Sequence, residues 1–203
     1  MKKVLPLLAL GAVVASASVQ AEGNWYIGAD ILNSDIKSDF HSKKDSVTGL
    51  SLSVGKERVY SQNLTLAFEG EFIHFGSFDY NGYYYHDSNL YPAKIEVESY
   101  AVNLNMKPKY YFSGTGIYVG AIAGFGVMGV DLNIEVPSKP TLSTADDGSS
   151  IGFNYGVEVG YEFASGLIVS GGYRASSVTI DVERGGDIDF DFNSLYAGID
   201  YKF

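Results

Sequence analysis

Leu195-Tyr196-Ala197-Gly198-Ile199-Asp200-Tyr201-Lys202-Phe203 is the stretch whose reading decides the fold. Leu195, Ala197, Ile199, Tyr201 and Phe203 are apolar, Ser194, Asp200 and Lys202 are polar, and Gly198 is small. Alternation with period two lays one apolar and one polar face along a β-strand. The pattern runs into the terminal aromatic residue and predicts a strand that closes a sheet.

Seven earlier segments repeat the pattern, so strands are predicted over 24–32, 47–59, 62–75, 95–112, 116–130, 150–163, 167–182 and 188–203. Strand two sets Leu50, Leu52 and Val54 opposite Ser51, Ser53 and Gly55. Strand three sets Leu64, Leu66, Phe68 and Phe72 opposite Thr65, Glu69 and Glu71. Ser113-Gly114-Thr115-Gly116, Ala164-Ser165-Gly166 and the slightly longer 56–62 read as short turns, whereas 33–46, 76–94, 131–149 and 183–187 read as long or polar connections.

Residues 1–21 read as a cleaved signal peptide. Lys2 and Lys3 precede an apolar run from Val4 to Val14, and Val19-Gln20-Ala21 offers a cleavage site. Eleven apolar residues are too few to cross ~30 Å of hydrocarbon as a helix. One domain is then expected over 22–203. Its charge is acidic: the chain carries −10, and loss of Lys2 and Lys3 leaves −12, which argues against nucleic acid as a partner. There is no cysteine, so neither disulfides nor thiolate metal sites are available. After residue 21 no apolar run reaches the ~18 residues of a helical span. An exported membrane protein without helical spans must be a closed barrel, because open sheet edges cannot face lipid.

The expected fold is therefore all-β, an eight-stranded antiparallel transmembrane β-barrel of the bacterial outer membrane, with both termini periplasmic and long loops outside. Aromatic girdles are expected from Trp25, Tyr110, Tyr111, Phe112, Tyr161, Phe163, Tyr201 and Phe203 on the periplasmic side, and from Phe72, Phe75, Tyr100, Phe153 and Tyr173 on the outer side. A soluble lipocalin-like barrel or sandwich is the alternative, with its apolar face inward.

Tyr110-Tyr111-Phe112 followed by Ile117-Tyr118-Val119-Gly120-Ala121, then Gly171-Gly172-Tyr173-Arg174 and the terminal Tyr201-Lys202-Phe203, resemble the eight-stranded OmpA-like transmembrane domain superfamily. The likeness is to its opacity-protein and Omp25-like "porin family" members and covers the whole mature chain. It implies an adhesin, a complement-evasion factor or a structural envelope protein, without the peptidoglycan-binding domain of full-length OmpA.

Strand parity sends Glu69, Glu71, Asn103, Asn105, Lys107, Glu158, Glu162, Arg174, Asp200 and Lys202 to the lumen. An eight-stranded barrel is just wide enough for side chains to fill it, and buried charges need partners. Arg174 is expected to pair with Glu158, with Glu69 or Glu71 within reach across the lumen. A salt-bridged plug is the main reading, a narrow pore for ions or small solutes the alternative.

Loop 76–94 is expected to form a hairpin turning at Asn81-Gly82. It would display Phe78, Tyr80, Tyr83, Tyr84, Tyr85 and Tyr91, residues suited to a binding surface or an interfacial belt. His86-Asp87-Ser88-Asn89 is similar to the His-x-Ser-Asn element of outer-membrane lipid A deacylases, which would imply His86 as base, Ser88 as nucleophile and Glu96 or Glu98 as orienting carboxylate. The element lies mid-chain and Leu90 follows where that family has a small residue, so no catalysis is expected. Asp187, Asp189 and Asp191, with Asp181 and Glu183, could bind Ca²⁺ or Mg²⁺ at headgroup height, with a solvated edge as the plainer reading. Val178, Ile180, Val182, Ile188, Phe190 and Phe192 would face inward. No cofactor is expected. The expected partners are outer-membrane lipid and lipopolysaccharide, with a host or matrix ligand at the loops, and the protein is expected to be a monomer.

Overall fold

The computed structural model describes residues 24–38, 41–182 and 186–203; the predicted signal peptide lies outside the described residues. Eight strands follow in order: β1 Trp25–Ser38, β2 His41–Val59, β3 Leu64–His86, β4 Asn89–Tyr111, β5 Ile117–Glu135, β6 Thr144–Glu162, β7 Leu167–Val182 and β8 Gly186–Lys202. Each pairs antiparallel with the next, and β1 pairs with β8 from Tyr26↔Lys202 to Ser38↔Phe190, which closes the barrel.

The barrel is inside-out relative to a soluble protein. Ile31, Leu50, Phe153 and Leu195 point outward and are 61–68% exposed, while Glu71 and Arg174 are inside at 0% and 1%. A lipocalin-like barrel or sandwich would show the reverse. Hydrocarbon is the solvent that suits such an exterior.

The strands outrun their predicted limits because alternation ends where lipid ends, but pairing does not. Beyond the apolar band β3 continues as Ser77, Asp79 and Asn81 on its outer face, against Glu98, Glu96 and Lys94 of β4. These residues look like loop in a hydropathy pattern, yet their ladder is unbroken to His86↔Asn89. The connection predicted over 131–149 shrinks likewise to 136–143, with a single 3-10 turn at Pro140–Leu142.

Two seams open above the membrane. The β2–β3 ladder stops at Leu50↔His74, and the β6–β7 ladder stops at Gly152↔Val178. The wall therefore splits into two four-stranded flaps, β3–β6 and β7–β8–β1–β2, and β3 from Gly76 to His86 has β4 as its one ladder neighbour.

A β-bulge at the seam changes which residues face in. The register slips between His74 and Gly76, so Phe75 and Gly76 both turn inward. Gly76 has φ of 108°, and a Cβ there would run into the Thr48 carbonyl at 2.6 Å. Only glycine takes that backbone at low cost. Phe75, expected in the outer girdle, is instead fully buried in the lumen against Phe192, with ring centroids 4.4 Å apart.

The lumen has two storeys. The outer storey is apolar: Leu32, Ile36, Ile73, Phe75, Val97, Met128, Val178 and Phe192 form one buried cluster. The periplasmic storey is polar and charged. Three inward tyrosines lie over glycines that are their own register partners, Tyr26 on Gly55, Tyr118 on Gly160 and Tyr196 on Gly172, and Tyr100 lies over Gly129 in the same way on the outer face. The missing side chain gives each ring its room, and the ring covers the bare backbone.

Candidate functional site

Two regions hold the residues singled out from the sequence: the periplasmic lumen and the outer flaps.

In the lumen, parity from six strands brings five glutamates and four cations together in ion pairs. Lys107 Nζ sits between Glu69 at 3.4 Å and Glu158 at 3.2 Å. Asn105 Nδ2 donates to Glu69 at 3.2 Å and Glu71 at 2.8 Å. Tyr26 OH donates to Glu69 and Tyr196 OH to Glu158, at 2.8 and 2.9 Å. Lower down, Lys109 meets Glu57 at 3.3 Å between the rings of Tyr26 and Tyr118. Lys202 bridges Glu57 and Glu162 at 2.7 and 2.8 Å.

The expected Arg174–Glu158 pair is not formed. Arg174 pairs with Glu71 on the opposite wall and stacks on the Tyr196 ring, while Glu158 is occupied by Lys107 and the Tyr196 hydroxyl. Register explains this: Arg174 lies beside Gly156, and Glu158 lies beside Gly172, so the two side chains are offset along the ladder. Tyr111 was expected in the girdle, but it turns toward the lumen, donating to Glu162 at 2.6 Å. Sequence reasoning passed over Glu57, Lys109, Tyr26 and Tyr196. Their parity signal was available, since Lys109 shares the face of Lys107 and Glu57 that of Gly55.

Outside, the β3–β4 hairpin turns at Asp87-Ser88, not at Asn81-Gly82. Asp87 and Ser88 have φ of 50° and 62°, the two positive values of a tight hairpin turn. Asn81 and Gly82 are mid-strand, paired with Lys94 and Ala93. Moving the turn outward adds the cross-strand pairs Tyr83↔Pro92, Tyr84↔Tyr91 and Tyr85↔Leu90. Such pairs stabilise a ladder by roughly 0.2–1 kcal/mol each, enough to outweigh a local turn preference.

The six predicted aromatics divide. Phe78 and Tyr80 pack down on the apolar storey with Ile95, Leu132 and Phe190, so they cap the lumen and are not displayed. Burial raises the Tyr80 hydroxyl pKa. Tyr83 and Tyr85 are 72% and 66% exposed on the outer face with Leu90 and Pro92. On the other face, Tyr91 OH accepts from Lys139 Nζ at 3.0 Å, tying the hairpin to the 136–143 connection. That hydrogen bond raises the Lys139 pKa.

The hydrolase-like residues do not assemble. His86 Nε2 faces Asp87 at 3.3 Å, and Asp87 and Ser88 form the turn itself. Glu98 is held by His74 at 2.9 Å, and Glu96 is paired in register with Asp79. Glu96 lies seven positions down the ladder from Asn89, about 23 Å at ~3.3 Å per residue.

Val178 and Phe192 do face inward, whereas the side chains of Ile180, Asp181, Val182, Glu183, Asp187 and Ile188 are outside the described residues. Asp189 and Asp191 are exposed, and Asp189 accepts from Thr179 Oγ1 at 2.7 Å. Among the described residues, no three His, Asp or Glu side chains gather as a metal site.

Solved structures share the architecture. Neisserial surface protein A is 14% identical over 88% of this chain and 97% of its own, with a TM-score of 0.61. The attachment invasion locus protein of Yersinia pestis, solved with the heparin analogue sucrose octasulfate, is 15% identical over 89% and 99%, with a TM-score of 0.54. Outer membrane protease OmpT from Escherichia coli is 9% identical over 92% and 100%, again at 0.54. At these identities the likeness is one of fold. No curated protein matches the chain. A family model described as "Outer membrane protein beta-barrel domain" matches residues 5–203, and with the closed eight-stranded barrel and its apolar exterior it establishes that this chain belongs to that family and resides in the bacterial outer membrane.

Proposed function

We propose that the protein is a non-catalytic surface-interaction protein that engages a partner outside the cell through the tip of its β3–β4 hairpin. One observation carries the reading. Tyr83, Pro92, Tyr85 and Leu90 form an apolar patch on one face, cut off from the lipid-facing band by Ser77, Glu98, Asp79, Glu96, Asn81 and Lys94. Tyr85 lies 11 residues beyond His74, about 36 Å along the strand at ~3.3 Å per residue. An interfacial belt would adjoin the lipid and would not stand beyond a charged stretch. Exposed aromatics on a rigid hairpin give contact area at low entropy cost.

The free edge of β3 supports the same reading. Edge strands invite pairing unless Lys, Pro or short length blunts them. From Gly76 to His86 the edge carries no Lys and no Pro. The charge of the chain, −10, favours an apolar or basic protein segment over a sulfated polyanion of the kind bound to the Yersinia protein. The packed apolar storey and paired charges of the lumen weigh against a pore.

Adherence of cells carrying Tyr83→Ser, Tyr85→Ser and Leu90→Ser together tests the proposal. Attachment to host cells or matrix is expected to fall at least tenfold, while the barrel still shows its heat-dependent shift on a gel. Undiminished attachment would leave only an envelope-structural role.

A further inference from the structure

A separate feature lies on the lipid-facing wall, away from both the lumen and the hairpin. An open furrow of about 840 Å³ crosses β2 to β5. Its floor is Val54 and Gly70, which are register partners, and Trp25, Phe68, Met106 and Phe125 stand around it. A Cβ built on Gly70 meets nothing within 4 Å. Gly70 therefore leaves the wall open at the floor of the furrow, in an otherwise bulky exterior.

Its periplasmic end is basic. Lys56 lines the furrow beside Phe68, with its ammonium 5.4 Å from the centre of the Trp25 ring. A cation over an indole is held in place and keeps its charge turned toward water. Arg58, two residues on, shares the outward face. Among the described outward-facing residues of this rim, Lys56 and Arg58 are the only charged ones. The remainder are aromatic or aliphatic, such as Leu64, Tyr110, Tyr161 and Tyr201. Two cations on an otherwise uncharged rim, in a chain of net charge −10, match an anionic headgroup.

We propose that the furrow binds one anionic phospholipid of the periplasmic leaflet, with its phosphate at Lys56 and Arg58 and an acyl chain over Gly70. The headgroup contributes charge selectivity and the furrow contributes buried methylenes. Neither depends on the hairpin or its partner.

Native mass spectrometry of the detergent-solubilised protein, with phosphatidylglycerol and phosphatidylcholine of equal acyl length as probes, tests this. One phosphatidylglycerol is expected to survive activation at least tenfold more often than phosphatidylcholine. Gly70→Phe sets a ring on the floor of the furrow, from a position where the added Cβ meets no atom within 4 Å, and is expected to cut retention of both lipids at least fivefold. Lys56→Gln with Arg58→Gln is expected to abolish the preference while leaving weak retention. Heat-dependent gel mobility confirms that each variant is folded. Equal retention of the two lipids by the unaltered protein would overturn the proposal, as would folded variants that hold phosphatidylglycerol as well as the parent does.

Discussion

Arg174 on β7 reaches across the lumen to Glu71 on β3, 103 positions away in the sequence, and both side chains are at most 1% exposed. The pair joins opposite walls, so it ties the barrel through its centre as well as around its circumference. Breaking a buried pair costs about 3–5 kcal/mol, because the surviving charge is stranded. Glu71→Gln is expected to destabilise the folded barrel by about that much in denaturant titration in lipid vesicles. Replacing both partners, Glu71→Leu with Arg174→Met, is expected to recover most of the loss.

The Asp87-Ser88 turn makes a prediction opposite to the one the sequence suggests. Ser88 has φ of 62°, a left-handed conformation that costs an L-residue roughly 1–2 kcal/mol, so Ser88→Gly is expected to stabilise the hairpin by part of that, the gain being reduced by the freedom glycine adds to the unfolded chain. Gly82 sits in the ladder without positive φ, and a Cβ there comes within 3.0 Å of the flexible tip of Ile95, which can yield, so Gly82→Ala should leave the hairpin protected. Hydrogen exchange of residues 80–95 separates the two positions: a large loss of protection in Gly82→Ala would restore the turn to Asn81-Gly82.

Gly160 leaves the space that the Tyr118 ring fills, with the would-be Cβ 2.5 Å from that ring. Gly160→Val must therefore expel Tyr118 from the cleft beside Lys109. Overpacking of this kind costs about 1–3 kcal/mol. The expected readout is a lower midpoint of the heat-dependent gel shift, with Gly70→Ala, which has open space, as the unaffected comparison.

Lys94 on the outer face of the hairpin hydrogen-bonds Asp79, with Nζ 3.1 Å from its carboxylate, and that bond raises the lysine pKa. A raised folded pKa means stability that is fully present below the unfolded lysine value of about 10.4 and is lost as pH rises through the folded one. The pair is exposed, so its contribution is small. Nitrogen-15 titration of Lys94 is expected to show a higher midpoint than in Asp79→Asn; equal midpoints would contradict the pairing.

Removal of residues 1–21 is expected to leave Glu22 as the first residue of the exported protein. Intact mass measurement of the outer-membrane form checks this, and retention of Lys2 and Lys3 would refute it.

How much of this was legible varied with the range of the interaction. The outer face of β2 could be read from Leu50 and Leu52, because a period of two belongs to the strand alone. Phe75, Phe78 and Tyr80 could not be placed. One extra residue at the β3 bulge exchanges the two faces above it, and no local pattern marks the slip. The partner of Arg174 was hidden for a different reason. Glu71 and Glu158 carry the same parity, and the choice between them depends on how the closed sheet is staggered.

The sequence by itself determined that this chain is an outer-membrane barrel of eight strands, because alternation against lipid is written residue by residue and no helix could satisfy it. Tertiary structure alone decided which charges meet in the lumen, where the hairpin turns and which tyrosines stand free. Those outcomes follow from register and closure, which are properties of strands against one another and have no meaning within a single strand.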